Sequence, residues 1–331
     1  MQFLNEDPAA PRMLRVPVGM CDIPESISRF TFPQSGESIR DSVGQFGIIQ
    51  PVAAVPGHDH RFRIICGAKR LHAAKELGIE EIPARILEDK DLTERQRFDI
   101  AFADNVASRV LNAVEIAGAL SYLKERVRLP VNTINEKYLQ RIERKSGIKG
   151  AEDYCALYEL DDELKRYVVS WNVSVSIAVQ FLKFSRDDRS GLFGAARKLQ
   201  FHGGKLKQYL LLCFEICRIQ NITVGDLFAG EEFSALLQSE KITQSQKQQK
   251  VLEWLHRRRY PALTELNENF FKTVNKLDGL PPGTISPPRD FEGDKLRAQL
   301  SFRDLEELDR LIAALQESEN RDIIKKLLKL F

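Results

Sequence analysis

The stretch Gly67-Ala68-Lys69-Arg70 combines the residue types and spacing from which anion chemistry can be built. Backbone N–H groups at a helix start attract negative charge, and a lysine and an arginine beside a glycine reinforce them. Arg61, Arg63 and Lys75 lie close in sequence, and no acid occurs from Arg61 through Lys75. This local excess stands out in a chain of 331 residues whose net charge is only +2. The pattern suits a phosphate, on a nucleotide or on DNA. It equally suits a plain strand-to-helix turn with solvated basic residues, and the stretch alone leaves both open.

A second basic run holds Lys241, Lys247, Lys250, Arg257, Arg258 and Arg259 against a single acid, Glu253. Arginines beside Trp254 and Tyr260 could hold a phosphate backbone or accompany a stacked base. Five cysteines, at 21, 66, 155, 213 and 217, are scattered and odd in number, which points to reduced thiols. Cys213 and Cys217 lie one helical turn apart in an apolar segment and read as buried structural thiols. His58-Asp59-His60 reads as a hairpin tip rather than a metal site.

The elements that must position these residues follow from periodicity. Phe62 to Cys66 is an apolar run of strand length, Gly67 breaks it, and Leu71, Ala74 and Leu77 give a helix over 70–77 that Gly78 ends. Upstream, residues 14–23 read as a strand leading into a loop. Ile39, Val43 and Phe46 mark an amphipathic helix ended by Gly47, and Val52 to Val55 a strand. Downstream, residues 79–83 turn into a strand over 84–87. The order is β-α-β-β-α-β. Helices through Phe98 to Phe102 and over 114–127 follow.

Residues 128–240 read as helical. Candidate helices Asn135–Ser146 and Lys149–Leu160, with Gly147 between them, match a helix-turn-helix or two packing helices. Residues 205–219 form an apolar core helix and Gln244 to Arg259 another helix. Gly279 to Asp294, with four prolines and three glycines, reads as a linker. Leu296, Ala298, Leu300 and Phe302 then alternate as in a half-buried strand, and two amphipathic helices close the chain. So small a module cannot bury its own faces, which predicts self-association or packing on the middle region. Hydrophobic content of 43% and charged content of 29% suit a globular protein. No apolar run reaches membrane-spanning length, and the N-terminus lacks a signal peptide's apolar core, so a cytoplasmic protein is expected.

Taken together, five blocks resemble the N-terminal domain of the ParB/RepB (chromosome and plasmid partition) family. They are Gly47-Ile48-Ile49-Gln50-Pro51, Gly67-Ala68-Lys69-Arg70-Leu71-His72-Ala73, Leu77-Gly78-Ile79-Glu80-Glu81-Ile82-Pro83, Asp104-Asn105 and Asn112-Ala113-Val114-Glu115-Ile116-Ala117. Leu160-Asp161-Asp162-Glu163-Leu164 and Val173 to Ala178 extend the likeness to about residue 185. The resemblance implies an α+β chain: a small ParB/sulfiredoxin-like domain over 14–110, an all-helical DNA-binding domain over 111–278, the linker 279–294, and a β-α-α dimerisation module over 295–331.

It also implies CTP and Mg²⁺. Arg29, Gln50, Gly67, Lys69, Arg70 and Asn105 would face the nucleotide and Asp104 the metal. Lys149, Arg257, Arg258 and Arg259 would face DNA. The implied partners are DNA, a second copy and a ParA-type ATPase, with no membrane, at the nucleoid. Departures from the family pattern fall at Ala68, Lys69, His72 and Asp104, and at Ala107-Ser108, which displaces Arg109 by one residue, about 100° around a helix. Two other readings share the scaffold. One is a nucleotide-utilising enzyme such as a weak CTPase, and the other a regulator without nucleotide chemistry. Sulfiredoxin's reactive cysteine sits inside the turn, whereas Cys66 precedes Gly67, which argues against a thiol mechanism.

Overall fold

A computed structural model describes residues 12–34, 37–87, 92–142, 150–239, 242–288 and 291–330. The chain divides into two compact units, Met1–Lys207 and Gln208–Phe331.

Alternating apolar residues build the sheet of the first unit. Its strands are β1 (Arg12–Pro17), β2 (Cys21–Asp22), β3 (Val52–Pro56), β4 (Phe62–Cys66) and β5 (Glu81–Ile86), in the order β1-β5-β3-β4-β2. β1 runs antiparallel to β5 and β4 antiparallel to β3, while β3 is parallel to β5 and β2 to β4. β5 starts at Glu81, three residues before the expected Ala84, and Pro83 lies inside it opposite Arg15. A proline within a run lowers its apparent strand character, which explains the late start in the sequence reading.

Between the first two strands and β3 lie α1 (Glu25–Ser28) and α2 (Glu37–Phe46). After β4 comes α3 (Ala68–Glu76), whose Leu71 and Ala74 pack on Val52, Ile64, Ile82 and Ala84. α4 (Glu94–Ser108) and α1 both pack against β4. α4 begins with a capping box in which Thr93 and Gln96 satisfy each other's backbone, a start that the sequence reading passed over as a polar stretch.

The helical remainder of this unit is organised around α5 (Ala113–Glu125), in which every residue from Val114 to Leu123 is buried. A helix buried on every side lies inside a core. α6 (Val131–Ile134), a π-helical stretch (Asn135–Leu139) and α7 (Gln140–Ile142) follow, then α8 (Ala151–Tyr158), α9 (Asp162–Ser170), α10 (Val175–Ala178) and α11 (Arg186–Leu199). α8 packs on α5 and buries Ala151, Tyr154, Cys155 and Leu157. The end of the first expected helix-turn-helix helix, its turn and Lys149 lie outside the described residues.

Next come α12 (Gly203–Gln220), α13 (Val224–Phe228), α14 (Glu231–Gln238), α15 (Gln244–Arg259) and α16 (Pro261–Val274). The segment expected as a linker contributes a short strand. It contains β6 (Ile285–Ser286), paired antiparallel with β7 (Arg297–Ala298), and Ile285 is buried. Phe270 and Val274 of α16, with Ile285, form a core with Leu327 of α18 (Ser318–Leu328), and Leu315 of α17 (Leu305–Gln316) packs against it. The alternating run 296–302 supplies only the two residues of β7. Part of the apolar faces of the C-terminal helices thus packs on α16, while Leu305, Ile312 and Leu328 stay exposed.

Candidate functional site

Gly67 ends β4 and opens α3 with φ 97° and ψ 26°, a left-handed conformation that glycine adopts without a Cβ penalty. A Cβ here would meet Val52 Cγ1 at 2.9 Å and Arg70 Cζ at 3.1 Å. Because Gly67 carries no side chain, no side-chain cap serves the first turn of α3. Its N–H groups are therefore free to meet an anion. α3 starts two residues earlier than the periodicity predicts, so Lys69 and Arg70 stand in its first turn rather than in the loop.

Arg70 turns back toward the sheet. One guanidinium nitrogen donates to the carbonyls of Gln50 and Pro51, at 2.6 and 2.7 Å, which fixes the Gln50-Pro51 corner beside the turn. Burial lowers the affinity of Arg70 for its proton, and nearby Asp104 opposes that effect. The Gln50 side chain is exposed. Asp104 accepts a hydrogen bond from the Cys66 thiol. Burial first, and then this carboxylate, push that thiol up to about 12. Cys66 is accordingly a neutral thiol at physiological pH, which supports the sequence argument against a thiol mechanism.

Lys69 reaches a group that the sequence reading did not single out as a site residue. Glu115, on α5, is 1% exposed and collects four donors. Lys69 Nζ lies 3.1 Å from Oε1, and the Phe32 N–H donates to the same oxygen at 3.3 Å. Arg109 donates to Oε2 at 2.7 Å and the Asn112 N–H at 3.1 Å. Asn112 in turn caps α5 by accepting from the N–H groups of Val114 and Glu115. The signal was present as Asn112-x-x-Glu115 before an apolar run, a capping-box pattern.

Arg109 is also placed differently from expectation. α4 ends at Ser108, and Arg109 is extended, with φ −156° and ψ 166°. The helical angle therefore no longer governs it. Its side chain folds back to Asn105 Oδ1 at 2.8 Å, to Glu115 and to the Phe30 carbonyl. Asn105 also donates to the Ala101 carbonyl. Asn105, Arg109, Glu115 and Lys69 thus form one hydrogen-bonded chain from the end of α4 to the start of α3.

Arg29 is engaged in structure. It pairs with Glu25 at 2.6 Å and Glu125 at 3.6 Å, and lies 4.5 Å over the Tyr158 ring. Burial pulls its pKa down, and Glu25 with the neighbouring acids more than restores it. Among the described residues no group of three or more metal-ligating side chains occurs.

The expected DNA arginines divide. Arg258 donates to the Leu227 carbonyl and covers the Trp254 ring. Arg259 pairs with Glu215 at 2.6 Å and covers the Tyr260 ring. Trp254 is buried and donates to Glu232, so it offers no face to a base. Arg257 is exposed. Among the described residues no helix is long and apolar enough to cross a membrane.

Comparison with known proteins now adds to this geometry. Residues 27–106 match the family model of the ParB N-terminal domain. The protein named "Probable chromosome-partitioning protein ParB" of Pseudomonas putida is 29% identical over 97 residues, 29% of this chain and 32% of that protein. Its counterpart in Vibrio cholerae is 24% identical over 181 residues, 55% of this chain and 59% of that protein. The match thus spans between about a third and three-fifths of these relatives' length. A solved ParB of Caulobacter crescentus, C-terminally truncated and complexed with CTP-gamma-S, is 22% identical with a TM-score of 0.27. It covers 51% of this chain and 91% of that one.

Proposed function

We propose that the chain is a ParB-type partition DNA-binding protein, its residues 27–106 matching the ParB N-terminal domain, and that its Gly67 turn takes the triphosphate of CTP. The observation that carries the reading is the left-handed Gly67 at the head of α3, with Lys69 in the first turn and Asp104 close to Arg70. The donor set fits a phosphate chain: uncapped N–H groups, a lysine and a glycine that leaves room for close approach. Arg70 and Asn105 hold the walls in place. Asp104 is a single carboxylate, and Mg²⁺ commonly takes one or two carboxylates together with phosphate oxygens. The metal would therefore arrive with the nucleotide rather than ahead of it.

Binding would have to draw Lys69 away from Glu115 or share it, and that competition supplies a route from the nucleotide to α5. Of Arg257, Arg258 and Arg259, Arg257 is exposed and is the one proposed to meet DNA. Phe302, Leu305 and Ile312 are exposed and suit contact with a second copy. A ParA-type ATPase and a place at the nucleoid follow from the partition reading.

The deciding experiment measures CTP, ATP and GTP binding with Mg²⁺ to the wild type and to Lys69→Ala/Arg70→Ala, with and without DNA. The expected result is CTP binding that the double variant loses by at least tenfold. A wild type that binds no nucleotide ends the reading. Self-association has its own test. Leu305→Glu/Ile312→Glu should become monomeric in light scattering, and an unchanged mass removes that surface.

A further inference from the structure

A cavity of about 340 Å³ lies between the start of β4, α1 and the first turn of α4. Its lining on β4 runs from Arg63 to Ile65, and its two arginines lie away from the Gly67 turn. Arg63 precedes Gly67 by four residues along β4, about 13 Å in a strand, and Arg97 precedes Asp104 by seven residues along α4, about 10 Å in a helix. Ile27 and Ile65 give it an apolar wall, and Arg63, Arg97, Asp22 and Glu94 supply its charges.

These four charges are unequally committed. Asp22 is held by both ends of the Arg61 guanidinium, which keeps its pKa low. Glu94 accepts from the Tyr122 hydroxyl. Neither arginine forms an ion pair among the described residues, and Arg97 Nε is buried with no hydrogen-bond partner at all. A buried donor left unmade is costly, and a ligand acceptor in the cavity would satisfy it. A phosphomonoester carries close to two negative charges at neutral pH and can accept from both guanidinium forks at once, which a single carboxylate does less well. The volume lies at the lower end for small-ligand pockets and exceeds what a bare anion needs. The Glu94 carboxylate adds an acceptor for a ligand hydroxyl.

We infer that this cavity is a second ligand site, specific for a small phosphomonoester on a hydroxylated frame, held by Arg63 and Arg97 with Glu94 receiving a hydroxyl. Its two arginines are distinct from Lys69 and Arg70 of the nucleotide reading.

The test is calorimetric titration of the full chain with ribose 5-phosphate, with inorganic phosphate and ribose run separately. Ribose 5-phosphate should bind saturably, and at least tenfold more tightly than either half. Arg97→Met and Arg63→Met should each weaken it at least tenfold, while Lys69→Ala/Arg70→Ala should leave it unchanged. Circular dichroism checks that each variant is folded, and two arginines on separate elements provide two independent chances of a folded variant. No saturable binding overturns the site. So does binding that survives both arginine variants, or that is lost in the Lys69/Arg70 variant. Inorganic phosphate binding as tightly as ribose 5-phosphate overturns the recognition of the hydroxylated frame. CTP titrated on the same proteins keeps failure of this site separate from failure of the nucleotide reading.

Discussion

Glu115→Gln is the substitution whose outcome the geometry fixes most closely. The amide keeps the volume of the carboxylate and one oxygen acceptor, so packing and much of the α5 cap survive. The charge that Lys69 and Arg109 share is lost. Removing one member of a buried ion pair costs about 3–5 kcal/mol when the remaining charge is wholly enclosed. Here both cations are 27% exposed, so water recovers part of that. A loss of about 2–3 kcal/mol follows, within the range for hydrogen bonds to charged groups. For a unit of this size each kcal/mol moves the midpoint by roughly 2–4 °C, giving a fall of about 4–12 °C.

Two units need not melt together, so the assay needs a reporter in the first. The chain has two tryptophans. Trp254→Phe would leave Trp171 to report on the first unit alone. Thermal melts in that background, for Glu115→Gln, Lys69→Met and the pair, form a double-mutant cycle with an expected coupling of about 0.5–3 kcal/mol. A Glu115→Gln protein within about 0.5 kcal/mol of its parent, in the range of an ordinary surface change, would refute the account of Glu115 as the shared counter-ion. Strict additivity with Lys69→Met would refute the pairing alone.

Other consequences can be checked more briefly. Gly67→Ala forces a left-handed backbone on alanine and drives its Cβ to 2.9 Å from Val52 Cγ1, so urea denaturation should show a loss of about 2 kcal/mol. Cys66, pushed up to about 12, should react with iodoacetamide at pH 8 at least a hundredfold more slowly in the folded chain than in urea; comparable rates would contradict its burial against Asp104. Burial, and then Lys75, hold the His72 pKa below its ordinary value of 6.5. The unfolded chain therefore takes up that proton first, and stability is lost as pH falls from about 6.5 through the depressed folded value; urea midpoints should drop less on acidification in His72→Gln than in the wild type. Leu327→Ala should cost about 2–5 kcal/mol, because Leu327 is fully buried in the core around Phe270.

The first sheet and its glycine turn were legible because periodicity and Gly67 are local signals. So was α15, whose bounds coincide with the expected Gln244 to Arg259, since Thr243 and Gln246 mark its start. Within 279–294 the prolines and glycines record backbone restriction, and nothing local reveals that Ile285 and Phe291 pack on Phe270. At the site, residue type and register marked Gly67, Lys69 and Arg70. Which partner each would hold was hidden, because Glu115 lies 46 residues from Lys69 in sequence. Arg109 shows the same limit, since a side chain leaving a helix end obeys the next residue's φ and ψ rather than the helical angle.

The aromatic cluster of Phe30, Phe98, Phe102, Tyr122 and Tyr138 bears on where such proteins can be cut and recombined. The family domain ends at residue 106, yet Tyr122 stacks on Phe98 at 5.2 Å and Tyr138 meets Phe102 edge-on at 5.1 Å. A graft made at the family boundary would leave Phe98 and Phe102 facing water and would separate Lys69 from Glu115. The smallest transferable module is therefore the first unit through Lys207, and chimaeras that carry the Gly67 turn should be joined there.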